Sequence, residues 1–168
     1  GVEKVISEEL PKLKAVYNKK VIANVGGFSI EEYKHCCEKI DKVDDVAIIE
    51  LNISCPNVHN GGMAFGTSPD AAKEVTKAVK AVTTKPVYVK LTPNVTDITA
   101  IAKAAEAGGA DAVSLINTLT GMKIDVNRRT FAVANKTAGV SGPAIHPIAV
   151  RMVYQVANAV NIPIIGMG

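Results

Sequence analysis

Five short apolar runs recur along the chain, at residues 21–25, 46–51, 87–91, 112–116 and 162–165. Each is rich in β-branched residues and lacks clean polar alternation, the pattern of a strand buried on both faces of a parallel sheet. Longer amphipathic stretches separate them, and several carry start signals. Ser29 with Glu32 three residues on forms a capping box for a helix through about Ile40. Ser68 followed by Pro69 predicts a helix through about Val82. Thr96 is the expected cap of a helix through Ala107, which Gly108 and Gly109 then stop. Pro147 opens the last helix, through about Val160, and Pro163 stands at the start of the final strand, where a missing N–H does least harm.

Five strands with four intervening helices are repeated right-handed βα units, so the class is α/β. The choice lies between a doubly wound sheet and a (β/α)₈ TIM barrel. Polar residues at the C-terminal end of nearly every strand favour the barrel, whose sites gather from several strand ends on that face. They are Asn24, the stretch from Asn52 to Asn57, Lys90, Asn117 with Thr118, and Gly166 to Gly168. A doubly wound sheet concentrates its site at one switch point. A full barrel takes about 250 residues, so this chain is expected to be an incomplete piece of about five βα units. The expectation is one domain over residues 1–168, with early strands before Gly1 and the last after Gly168. Residues 121–143 read as a long irregular connection, a kind that tends to be functional.

Composition narrows the function. The chain has 168 residues, 48% of them hydrophobic, enough for a substantial core. Its 19 basic and 16 acidic residues are scattered and aromatics are 4%, which argues against a nucleic-acid surface. The Lys-rich stretch 12–20 reads as a solvated helix face. No apolar run approaches the ~20 residues of a membrane span, and the first residues lack a signal-peptide pattern. Three cysteines, two adjacent, make neither a disulfide framework nor a metal site, so a reducing cytoplasm is the expected compartment and no metal is expected. The sequons at Asn52 and Asn94 are then incidental.

The densest chemistry lies in Asn52-Ile53-Ser54-Cys55-Pro56-Asn57, directly after the second strand. Two amides suit a planar heterocycle with alternating N–H and C=O groups, and a cysteine there can be a nucleophile or general base. The plainer alternative is a turn built from Asn, Ser and Pro with a bystander thiol. Lys90 is either a cation facing a ligand or a salt-bridge partner. Cys36 and Cys37, inside a helix, read as packed structure. His59 reads as a solvent-facing loop residue and His146 as a helix-entry residue.

The stretch from Asn52 to Asn57, followed by Gly61-Gly62 and Phe65-Gly66, resembles the active-site loop of class 1 dihydroorotate dehydrogenases. Val89-Lys90-Leu91-Thr92-Pro93-Asn94, Ile116-Asn117-Thr118, Ser141-Gly142-Pro143-Ala144 and Ile164-Ile165-Gly166-Met167-Gly168 match in the same order, so the likeness covers residues 21 to 168. It is most similar to the NAD-linked (1B) catalytic subunits. The resemblance implies an FMN-dependent barrel that oxidises dihydroorotate to orotate in pyrimidine biosynthesis. Cys55 would take a proton from carbon 5 while a hydride leaves carbon 6 for the flavin N5. Asn52, Asn57, Asn117 and Thr118 would hold the substrate. Asn24, Asn52, Lys90, Ile116, Gly142 and Gly168 would contact FMN, the two glycines near its phosphate. It further implies a homodimer of the barrel and an electron-transfer subunit carrying FAD and an iron–sulfur cluster. A dihydropyrimidine dehydrogenase shares the cysteine loop and the Leu91-to-Asp97 segment, and Asn57-Val58 favours the orotate enzymes over it. Fumarate as acceptor, a non-redox phosphate-binding barrel with Lys90 as a Schiff-base amine, and a silent binding module are the remaining alternatives.

Overall fold

The computed structural model of the protein describes residues 1–54 and 65–168. All five apolar runs form strands: β1 (Val21–Val25), β2 (Val46–Asn52), β3 (Val87–Lys90), β4 (Ala112–Leu115) and, last in the sheet, Ile164–Gly166. They pair in parallel in sequence order, with that last strand beside β4. No step turns back, as a doubly wound sheet would require. The helices α3 (Ile30–Asp41), α4 (Pro69–Lys80), α5 (Ile98–Ala107) and α6 (His146–Ala157) pack on one another in series. One helical layer over a sheet in sequential order is an arc of a (β/α)₈ barrel.

Local chemistry sets the helix boundaries. Ser29 Oγ accepts from the Glu32 N–H at 3.2 Å, and Glu32 reaches back one residue further than expected, to the Phe28 N–H at 2.7 Å. Ser68 caps α4, with Pro69 in its first turn. At α5 the cap is Asp97 rather than Thr96. Its Oδ1 accepts from both the Thr99 N–H at 2.9 Å and the Thr99 hydroxyl at 2.7 Å. The helix ends on Gly108, and Gly109 follows at φ 94°, the left-handed turn that glycine allows. A Cβ on Gly108 would lie 2.7 Å from the Lys73 carbonyl and 2.8 Å from Thr76, so this glycine sets how closely α4 and α5 approach.

Three further features differ from the expectation. Residues 2–16 are helical, as α1 (Val2–Lys4), a π-type turn (Val5–Glu9) and α2 (Leu10–Val16). The wide turn, closed by the Leu10 N–H on the Val5 carbonyl, precedes Pro11, whose ring needs room beside the preceding turn. The helix stops at Val16, so Lys19 and Lys20 lie outside it. Residues 121–143 are not irregular: β5 (Leu119–Met122) pairs antiparallel with β8 (Thr137–Val140), and β6 (Ile124–Asp125) with β7 (Thr130–Phe131). These nested ladders make one exposed ribbon. Finally, α6 begins at His146 after a 3₁₀ turn over Pro143–Ile145, and the last strand, β9 (Ile164–Gly166), starts after Pro163. Among the described residues no helix is long and apolar enough to cross a membrane.

Candidate functional site

Alternation along the strands sorts side chains into two faces. Val25, Ile49, Leu51, Val87, Val89, Val113 and Leu115 are buried and belong to the core cluster that includes the helices. The opposite face carries Asn24, Glu50, Asn52, Tyr88, Lys90 and Ser114. Register lines them up: Asn24 pairs with Glu50, Asn52 with Lys90, and Lys90 with Ser114. Polar groups from four adjacent strands thus share the C-terminal end of one face.

Hydrogen bonds join them into a chain. Glu50 accepts from Asn24 Nδ2 at 2.6 Å and from Ser114 Oγ at 2.6 Å. Asn52 Nδ2 donates to Asn24 Oδ1 at 3.3 Å. Asn52 Oδ1 accepts from the Ser54 N–H at 3.2 Å and the Ser54 hydroxyl at 2.6 Å. Ser54 Oγ accepts from Asn117 Nδ2 at 2.6 Å, and Asn117 Oδ1 accepts from the Thr118 N–H at 2.7 Å. The Thr118 carbonyl accepts from Asn94 Nδ2 at 3.0 Å. Four of the expected site residues, Asn24, Asn52, Asn117 and Thr118, are therefore brought together. Glu50, Ser54, Ser114 and Asn94 complete the chain, although the sequence reading gave them no role.

Cys55, Asn57 and His59 lie outside the described residues. The chain on both sides of that segment is firmly held. Tyr33 from α3 donates to the Asn52 carbonyl at 2.8 Å, and its ring meets Phe65 edge-on, centroids 5.6 Å apart. A Cβ on Gly66 would collide with the Ile53 carbonyl, so only glycine lets the chain re-enter there. Ile53 and Gly66, described residues from either side, thus lie against each other.

Lys90 is half-buried and has no hydrogen-bond or ion-pair partner among the described residues, which removes the salt-bridge reading within them. Ile116 is buried, and a Cβ on Gly168 would lie 3.3 Å from both its side chain and Ala149. Gly168 (φ 116°) and Gly142 (φ 100°) both hold left-handed backbone, Gly142 immediately ahead of the 3₁₀ turn leading into α6. His146, at that helix entry, has Nδ1 3.1 Å from the Gly168 carbonyl. Cys37 is fully buried, and burial first, then neighbouring Cys36, pushes its thiol up to about 12. Burial likewise raises the Cys36 thiol. Both are poor thiolate sources, as packed cysteines are.

An arc of a (β/α)₈ barrel with one polar cluster at the C-terminal end of its strands defines a barrel of the ligand-binding or enzymatic kind. Comparison with known proteins identifies which: the family model for dihydroorotate dehydrogenase matches residues 1–168, and the chain belongs to that family. It is 57% identical over 168 residues to the dihydroorotate dehydrogenase B (NAD(+)) catalytic subunit of Fusobacterium nucleatum, covering 100% of this chain and 55% of that protein. The protein of the same name from Alkaliphilus metalliredigens is 59% identical over 170 residues, again with 100% and 55% covered. The chain thus spans about half the length of the curated relatives it matches. Among solved structures, the carboxyl transferase domain of Rhizobium etli pyruvate carboxylase superposes on 61% of the chain with a TM-score of 0.45 at 22% identity, too slight a likeness to bear on function.

Proposed function

We propose that the full-length protein oxidises dihydroorotate to orotate with FMN, Cys55 acting as the general base. The observation that carries this reading is the convergence of Asn24, Asn52, Asn117 and Thr118 on one strand-end cluster in a chain of this family. Amides donate and accept without bringing charge, which suits the alternating groups of a pyrimidine ring. Asn52, Asn57, Asn117 and Thr118 bind the substrate and its carboxylate. Cys55 takes the proton from carbon 5 as the hydride departs from carbon 6.

The residues present also fit a flavin. Asn24 and Lys90 point to the open face of the arc, and Lys90, with no ion-pair partner among the described residues, carries a cation suited to a reduced, anionic isoalloxazine. Ile116 packs beside Gly168, whose left-handed backbone lets N–H groups approach a phosphate with no side chain between. Gly142 lies ahead of the α6 entry, where the same phosphate fits. Bound FMN supplies the hydride acceptor; the chain's own residues orient the substrate and move its proton.

The relatives' shared name, a catalytic subunit linked to NAD(+), supports a separate electron-transfer subunit, which we assign the FAD and iron–sulfur cluster. A homodimer of the barrel completes the proposed assembly. The same names favour dihydroorotate over uracil and NAD over fumarate, and leave the non-redox and silent-module alternatives without support. The test is to purify the full-length protein, record its visible spectrum and add dihydroorotate anaerobically. A yellow protein that bleaches on addition is expected. Bound FMN that dihydroorotate does not reduce would overturn the substrate, and a colourless, well-folded protein would overturn the flavoenzyme.

A further inference from the structure

Glu50 is the single charged residue in the β2 run; it is half-buried and bonds to the polar cluster. A carboxylate offers lone pairs only, so whatever meets it must donate. That requirement propagates. Asn24 must turn Nδ2 toward Glu50, at 2.6 Å, and therefore turns Oδ1 toward Asn52. Asn52 must then donate through Nδ2, at 3.3 Å, which leaves its Oδ1 for Ser54. The Ser54 hydroxyl donates to that oxygen at 2.6 Å, so it accepts from Asn117 Nδ2, also at 2.6 Å. Asn117 Oδ1 is left for the Thr118 N–H. Amide side chains are nearly symmetric in shape, and packing alone distinguishes their two ends poorly. Glu50 distinguishes them for Asn24 directly, and the Ser54 and Thr118 N–H groups, which can only donate, hold the Oδ1 ends of Asn52 and Asn117 in the same sense.

We infer that Glu50 is a positioning residue whose acceptor oxygens set the donor–acceptor direction of Asn24 and, together with the Ser54 and Thr118 N–H groups, that of Asn52 and Asn117, and so the hydrogen-bond pattern the site presents to a heterocycle. The part concerning the heterocycle rests on the function proposed above. The direction of the relay rests on the hydrogen bonds alone. Ser114, from β4, accounts for the second Glu50 oxygen and holds the carboxyl group in place.

The role predicts an unusual ranking of variants in the full-length protein. Glu50→Gln keeps an acceptor for Asn24, because its Nε2 can turn to the Ser114 hydroxyl. Glu50→Met keeps the length and removes the acceptor. Amide hydrogen exchange at Ser54 and Thr118, the two backbone groups the relay holds, should stay near wild type in Glu50→Gln and accelerate about tenfold or more in Glu50→Met. Orotate affinity, read from the flavin spectrum, should follow the same ranking. A role in packing would leave Met as good as Gln, and a role of charge alone would leave Gln as poor as Met; either result overturns the inference.

A second pair of variants applies if Glu50→Met does not fold. Asn24→Asp sets two acceptors face to face and should disrupt the relay. Adding Glu50→Gln restores a donor and should recover exchange protection and orotate binding over the single variant. Failure to recover would equally overturn the relay. Exchange that ranks as expected in a protein that binds no orotate would leave the relay standing and remove the proposed substrate.

Discussion

At the N-terminal end of the strands, carboxylates grip backbone. Asp41, at the end of α3, accepts from the Thr83 hydroxyl at 2.6 Å and from the Thr84 and Lys85 N–H groups at 2.7 and 3.2 Å. Asp111 accepts from the Val87 N–H at 2.7 Å and pairs with Lys80 at 2.8 Å, and Glu106 accepts from the Asn161 N–H at 2.8 Å. Each ties the loop entering a strand to a neighbouring unit, and its hydrogen-bonding capacity is spent on the fold. At the C-terminal end the amides of Asn24, Asn52 and Asn117 are linked in one chain through Glu50 and Ser54, on an open face, beside a lysine with no partner among the described residues. One end holds the arc together; the other carries the groups proposed to hold the ligand. Barrels divide their labour in this way, with stability below and chemistry above.

Substitutions at the two ends should separate stability from activity. The largest effect belongs to Cys55→Ala: flavin reduction by dihydroorotate in the full-length protein should slow by about 10²–10⁴-fold while FMN stays bound, as stopped-flow absorbance would show. Asp41→Ala should do the reverse, costing about 1–3 kcal/mol in denaturant unfolding by taking the acceptor from the Thr84 N–H and the Thr83 and Thr84 hydroxyls, with orotate affinity unchanged. Lys90→Met should leave stability nearly intact and lower the FMN reduction potential by about 30 mV, equivalent to about 1.4 kcal/mol for two electrons. The smallest effect is pH-dependent. The Thr83 hydroxyl, then the Thr84 and Lys85 N–H groups, hold the Asp41 carboxyl below the usual carboxylate range. A depressed acid stabilises the fold above its unfolded pKa, about 3.9, and that contribution is lost as pH falls through the folded value. The stability gap between wild type and Asp41→Asn should therefore close on acidification below about pH 4.

Much of the arc was legible in the sequence because β-branched runs and Ser caps act locally. Ser29 and Ser68 sit where their spacing to Glu32 and Pro69 places them. Thr96 and Asp97 are adjacent residues of cap type, and local chemistry alone does not separate them. The ribbon from Leu119 to Val140 was not legible, since its turns lack an Asn-Gly or Asp-Gly signal and its strands mix polar with apolar residues. At the site, Asn24, Asn52 and Asn117 could be grouped because each follows an apolar run. Glu50 was visible as a charge within such a run, but its partners lie 26 and 64 residues away on other strands. Their meeting depends on register, which no local pattern encodes.

The claim that the C-terminal amides serve a ligand rather than the fold is tested most directly at Asn117. Orotate should be titrated into the full-length, FMN-loaded Asn117→Ala protein and followed by the flavin spectrum. The account predicts binding weaker by about tenfold or more, the cost of one lost buried hydrogen-bonding group. Wild-type affinity in that variant would contradict it.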